Sequence, residues 1–237
     1  MANSYKDVRN DLNKLASSKI AAGSQRFFKT NPGEYGEGDV FIGVRVPDQR
    51  KVAAKYSNLG LVELHELITS NVHEERLTAL FILVNNFKKA DQNNKKLIYN
   101  FYISHLDNIN NWDLVDSSAS YIVGGWLADK DKSILIDLAN SKVLWRRRIA
   151  MLSTLYYISE GDSVWALKIA SILLEDSHDL IQKAVGWMLR EVGKKCSLSI
   201  EQEFIINNYA RMPRTTLRYA IERFPDKQRL DFLKGTF

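Results

Sequence analysis

The chain has 237 residues, 45% of them hydrophobic, enough for one sizeable core or for a continuous repeat array. Its 33 Lys and Arg against 28 Asp and Glu give a net charge of +5 and an isoelectric point near 9.1, which favours a polyanionic partner where the charges gather on one surface. No uncharged apolar run is long enough to cross a bilayer, and the single cysteine, Cys196, excludes an internal disulfide and a thiol-based metal centre. The expectation is a soluble protein of a reducing, cytoplasmic compartment, associated with the nucleoid if bacterial.

In chain order, Met1 to Leu12 reads as an amphipathic helix and not as a secretory leader, because acids interrupt it and no apolar core run follows. The segment Gly23 to Asp48 reads as a loop: Asn31-Pro32-Gly33 and Gly36-Glu37-Gly38 punctuate it, and Gly43-Val44-Arg45-Val46-Pro47 leads to a helix with Asp48 as its N-cap. Beyond it, apolar residues recur at helical spacing. One window holds Leu77, Leu80, Phe81 and Val84; a second holds Ile149, Leu152, Leu155 and Tyr156; a third holds Val185, Met188, Leu189 and Val192. Companion helices are expected over Leu97 to Leu106, Ile134 to Leu138, Val164 to Leu174 and Ile200 to Tyr209. With only four prolines, and no β-branched alternation closed by Asn-Gly turns, strands are not expected.

Stepping from Glu74 to Trp112, Trp145, Ile181 and Arg214 gives intervals of 38, 33, 36 and 33 residues. That period suits a helix-pair repeat, and the expected architecture is an all-α, HEAT-like helical-repeat solenoid with a concave inner surface. A packed all-helical domain without true repeats is the competing arrangement. No linker of disordered composition divides the chain, so residues 1–237 are expected to form one domain, and a monomer.

Trp112 and Asp116 lie four residues apart, so a helix puts an indole and a carboxylate on one face, the pair a cationic transition state requires. The same spacing also fits a core tryptophan beside a surface acid that favours the helix N-terminus. Arg146, Arg147 and Arg148 follow Trp145 at a helix start suited to holding phosphate, but they fan over about 200°, so at most two share a face. Trp187 is framed by Lys183 and Arg190, which suits either a backbone-and-sugar contact or a core indole with snorkelling cations. Arg214 and Arg218 form an i, i+4 pair able to extend a phosphate track. The histidines, His65, His73, His105 and His178, show no HExxH spacing, and no phosphate-cradling glycine loop, GxSxG elbow or nucleophilic cysteine signature is present. Carboxylate chemistry without a cofactor is what remains for an enzyme. A DNA-binding protein without catalysis and a protein-interaction scaffold stay open on these residues.

Four ordered blocks carry a resemblance: Gly43-Val44-Arg45-Val46-Pro47-Asp48-Gln49-Arg50, Trp112-Asp113-Leu114-Val115-Asp116, Trp145-Arg146-Arg147-Arg148-Ile149-Ala150, and Gln182-Lys183-Ala184-Val185-Gly186-Trp187-Met188-Leu189-Arg190-Glu191. In these blocks the chain resembles the AlkD-like alkylpurine DNA glycosylases, a family of HEAT-like repeat proteins. The resemblance implies Asp116 as the catalytic carboxylate, Trp112 and Trp187 as aromatic walls beside the sugar, and Arg148 as a backbone contact. Lys183, Arg190, Arg147 and Arg214 are further candidate DNA contacts, with Phe27 standing where some relatives have a tyrosine and Asn111 where relatives often carry an aromatic. The implied reaction is hydrolysis of the N-glycosidic bond of N3- or N7-alkylated purines in duplex DNA, with no cofactor, no metal and no lyase step.

Overall fold

The structure, a computed structural model, describes residues 3–237 and divides between Ile122 and Val123 into two compact units. The first holds α1 (Tyr5–Lys14), α2 (Ser18–Phe27), α3 (Val46–Lys55), α4 (Leu61–Ile68), α5 (His73–Lys89), α6 (Gln92–Ser104) and α7 (Trp112–Asp116). The second holds α8 (Ser133–Ala139), α9 (Leu144–Ser153), α10 (Leu155–Ser159), α11 (Val164–Leu173), α12 (Asp179–Lys195), α13 (Leu198–Asn208), α14 (Arg214–Ala220) and α15 (Asp226–Lys234). The described residues contain no strand beyond one isolated bridge, Val40 with Val72, so the fold is all-α as expected.

The repeat phase read from the sequence falls on helix starts. Glu74, Trp112, Trp145, Ile181 and Arg214 each lie within the first three residues of α5, α7, α9, α12 and α14. The third apolar window is the buried stripe of α12, and the first lies in α5, which is buried at every position from His73 to Val84; the second is cut where α9 ends at Ser153 and α10 begins at Leu155, so that Ile149 and Leu152 are buried while Leu155 and Tyr156 are half-buried.

Two local expectations are corrected. The first concerns Gly23 to Asp48, whose opening residues belong to α2, capped by Ser17 Oγ accepting the Ile20 amide, so the loop runs only over residues 28–45. A solvated Gly23 does not stop a helix with a good cap. The second is Asp48, which is not an N-cap: Arg45 takes that position and Pro47 lies in the first turn, because its fixed φ suits the opening of a helix and its missing N–H costs nothing there. Asp48 is left in the first turn, favoured by the helix dipole. At the other end, the expected N-terminal helix is α1, closed by a capping box between Ser4 and Asp7; Met1 and Ala2 lie outside the described residues.

Within the first unit, α5 is the central helix, packed by α1, α3, α4, α6 and α7. Its Glu74, 2% exposed, reaches the loop before α3, where Oε1 accepts the Gly43 amide at 2.7 Å and Oε2 the Ile42 amide at 3.1 Å. Gly43 has φ +81°, and a Cβ there would lie 2.1 Å from the Ser17 carbonyl oxygen, so only glycine lets this loop run against the start of α2.

In the second unit α12 is central and packs on α9, α10, α11, α13 and α14. Gly186 faces α14 so closely that a Cβ would lie 2.4 Å from the Thr216 carbonyl oxygen and 2.5 Å from the Tyr219 Cβ. Both atoms are fixed by the helix, so neither can yield cheaply. Gly186→Ala is therefore expected to cost about 1–3 kcal/mol through overpacking, read as a lowered midpoint in urea denaturation with an unchanged slope.

Candidate active site

α7 is only five residues long, yet it fixes the orientation of three functional side chains. Asn111 caps it, its Oδ1 accepting the Trp112 amide at 2.8 Å, while Leu114 and Val115 bury against the unit's core. Trp112, Asp113 and Asp116 then line a cavity of about 230 Å³ with Arg50, Phe81, Lys88 and Tyr121. The indole and the carboxylate share a face, as their spacing predicts, and Trp112 is half-buried rather than a core residue.

The two acids of α7 have different surroundings. Asp113 Oδ2 is 2.8 Å from His73 Nε2, and the other ring nitrogen, Nδ1, is 3.0 Å from Asp39 Oδ2. Asp39 is in turn bound by Arg76 Nη2 at 2.5 Å and by Asn111 Nδ2 at 3.2 Å. His73 is 1% exposed, and with a carboxylate on each nitrogen both nitrogens donate, which makes the ring an imidazolium. Burial disfavours that charge, but the charge and hydrogen bond of Asp113 and the hydrogen bond of Asp39 outweigh it, so His73 titrates above its ordinary range. Burial likewise disfavours the Asp39 carboxylate, and the His73 hydrogen bond and the Arg76 charge hold it below the usual range. Two carboxylates and two cations thus balance in a dry environment.

Aromatic rings continue the network to Trp112. Phe41 stacks on His73 at 4.5 Å between centroids, and Phe28 stacks on Phe41 at 5.0 Å and on the Trp112 face at 5.2 Å with an interplanar angle of 14°. Phe27, the aromatic singled out from the sequence, is 63% exposed and meets Trp112 edge-on at 5.9 Å. Phe28 is therefore the ring stacked on the indole, a distinction from Phe27 that the sequence pattern does not carry. Behind α7, the buried Tyr102 hydroxyl lies 2.9 Å from Ser118 Oγ; burial, with a further contribution from the Asp116 charge, keeps this phenol protonated far into the alkaline range.

Arg50, which in the sequence only closes the Gly43–Arg50 block, and Lys88, which reads there as an ordinary solvated position, also line this cavity. The Arg50 guanidinium lies 4.0 Å over the Phe81 ring and the Lys88 ammonium 4.1 Å over the Tyr121 ring, both on the wall that Asp116 shares. Among the described residues neither cation makes an ion pair. No local signal marks Lys88, since isolated basic residues on a helix are usually only solvated.

The other predicted residues belong to the second unit. Trp187 is half-buried on α12. Arg147 donates from Nε to Asp176 at 2.6 Å, and Lys183 pairs with Asp179 at 2.8 Å. Arg190 pairs with Glu222. Arg148 is 5% exposed and donates from Nη1 to the Leu180 carbonyl at 2.5 Å, tying the middle of α9 to the first turn of α12. Arg214 is exposed at the first position of α14. Of the arginine run, then, Arg148 is turned inward and Arg147 is held by an acid, in line with the fan expected of consecutive helical residues.

The sequence profile of the DNA alkylation repair enzyme family matches residues 8–224, and the chain belongs to that family. Two solved structures share its fold. A predicted DNA alkylation repair enzyme from Enterococcus faecalis matches with a TM-score of 0.69 at 16% identity, over 90% of this chain and 98% of its own. AlkD2 from Streptococcus mutans matches with a TM-score of 0.55 at 18% identity, over 94% of this chain and 97% of its own. Among curated proteins none matches the chain. No helix of the described residues is long and apolar enough to cross a membrane.

Proposed function

We propose that the chain is a monofunctional DNA glycosylase that hydrolyses the N-glycosidic bond of cationic N3- or N7-alkylated purines in duplex DNA, acting as one repeat domain and as a monomer. The observation that carries this reading is the cavity of about 230 Å³ that Asp116 and Trp112 line together. An alkylated purine already bears positive charge and leaves without a general acid. The barrier lies in the sugar, whose C1′ becomes oxocarbenium-like as the bond lengthens.

Asp116 stabilises that charge by Coulomb attraction and accepts a hydrogen bond from the attacking water, while Trp112 contributes a cation–π attraction of about 0.5–2 kcal/mol. Trp187 has the same role in this reading. Arg50 and Lys88 stand beside the carboxylate and supply positive charge for the phosphates on either side of the lesion. Arg147, Lys183 and Arg190 already hold acids, so their use as DNA contacts requires an exchange of partners; Arg214 needs none of these exchanges. Arg148 contributes by holding α9 to the first turn of α12 as well as by its charge.

The proposal is tested by base release from duplexes carrying N7-methylguanine, N3-methyladenine, hypoxanthine or uracil. Release of the two cationic bases and not of the neutral ones is expected, with strands cleaved only after added alkali or heat. Salt-sensitive duplex binding with no release of any base would make the chain a non-catalytic DNA-binding protein instead.

A further inference from the structure

The second unit contains a cavity of about 380 Å³ bounded by α12, α13 and the turn Ile221–Arg223, and lined by Arg190, Gly193, Lys194, Glu201, Arg223 and Phe224. Glu201 is 2% exposed and its Oε1 has no hydrogen-bond partner. The carboxyl group fits only because position 193 lacks a side chain, since a Cβ there would lie 1.7 Å from Glu201 Oε2. A buried, unpartnered oxygen on a cavity wall is costly unless something binds it.

The surrounding charge is positive. Arg190 is held by Glu222, whereas Lys194 and Arg223 make no ion pair among the described residues. Burial pushes the Glu201 carboxyl up to about 8, with Arg190 opposing, so at neutral pH it is mostly the uncharged acid, with an O–H to donate. The groups that remain unpaired toward the cavity then include two cations and an O–H donor, and a planar guanidinium matches phosphate oxygens with two parallel bonds.

We infer that this cavity binds a phosphate group, with Lys194 and Arg223 providing charge and the Glu201 acid donating a hydrogen bond to a phosphate oxygen. Two sources share that chemistry: a backbone diester of DNA and a free phosphomonoester. Ionisation of Glu201 would place a carboxylate against the anion, so binding weakens as pH rises through this group. The charged groups that line the cavity with it are Arg190 and Lys194 from α12 and Arg223 from the turn Ile221–Arg223, and Glu222 of that turn pairs with Arg190.

The test uses the full chain and measures binding alone, by calorimetry, with the dinucleotide dTpdT as diester and dAMP as monoester. The diester keeps a constant charge between about pH 7 and pH 9, where Glu201 loses about tenfold of its protonated fraction. Wild-type binding of whichever probe fits is expected to weaken about tenfold over that interval relative to Glu201→Gln, which keeps the donor and cannot ionise. The surface variant Lys194→Ala/Arg223→Ala, which leaves Glu201 in place, is expected to weaken binding at least tenfold at pH 7. Preference for dTpdT assigns the site to the DNA backbone and preference for dAMP to a free monoester. Binding of neither probe, binding indifferent to Lys194 and Arg223, or the same pH slope in wild type and Glu201→Gln overturns the assignment. If Glu201→Gln does not fold, the double surface variant still decides.

Discussion

Asp116→Asn is expected to slow release of N7-methylguanine from duplex DNA by roughly 10²–10³-fold while leaving duplex affinity nearly unchanged. The substitution keeps the shape of the side chain and one acceptor oxygen but removes the charge. Loss of one preorganised electrostatic partner at a reacting centre typically costs about 2.7–4 kcal/mol of transition-state stabilisation. Affinity is spared because the sugar carries little charge before the bond breaks, so the interaction exists only in the transition state. The measurement is single-turnover base release with both proteins in excess of substrate, beside spontaneous depurination of the same duplex. Equal rates for the two proteins would remove the carboxylate from the chemistry. Asp113→Asn separates the roles of the two acids: its hydrogen bond from His73 is part of a buried ion network, so its main expected effect is on stability.

The second large effect is expected at His73. His73→Gln replaces the imidazolium by a neutral amide, so Asp39 keeps Arg76 as its cation while Asp113 is left without the one that His73 gave it, a loss of about 3–5 kcal/mol. The pH dependence has a definite sign. The folded-state pKa of His73 lies above that of the unfolded chain, so its stabilisation is complete below about pH 6.5, the usual value for histidine, and is lost as pH rises through the folded value. The groups facing the ring are Asp39 from the loop, Arg76 from its own helix and Asp113 from α7; Glu74 and Glu75 turn instead to the amides of residues 42–44 and to Arg9. Urea denaturation of wild type from about pH 6 to pH 9 is expected to show a stability falling along that range, and His73→Gln a lower and flatter one. A variant as stable as wild type, with the same slope, would show that the ring is not a buried imidazolium.

The AlkD-like resemblance read in four short blocks agrees with the family that the whole sequence matches. Its consequences for individual residues divide by where each side chain's partner lies. Trp112 and Asp116 are brought together by one helical turn, and their pairing was legible from spacing alone. Phe27 and Phe28 are adjacent, and which of them stacks on Trp112 depends on where α2 ends and on the direction of the chain after it, which no local pattern fixes. Glu74 was useful in the sequence only as a marker of repeat phase; its work is to hold amides 31 and 32 residues away.

What the sequence determined by itself was periodic and local: the all-helical class, the phase of the helix starts, and the indole and carboxylate of one turn. These follow from 3.6-residue geometry acting between neighbours in the chain. Only the tertiary structure decided that Asp113 is bound to a buried histidine, that Arg148 is turned inward, and that Glu201 lies over Gly193. His73 meets its two carboxylates across 34 and 40 residues, and both its ionisation and that of Glu201 follow from removal of water and the charges that packing brings near. Desolvation is a property of the assembled core, and a residue's neighbours in sequence do not carry it.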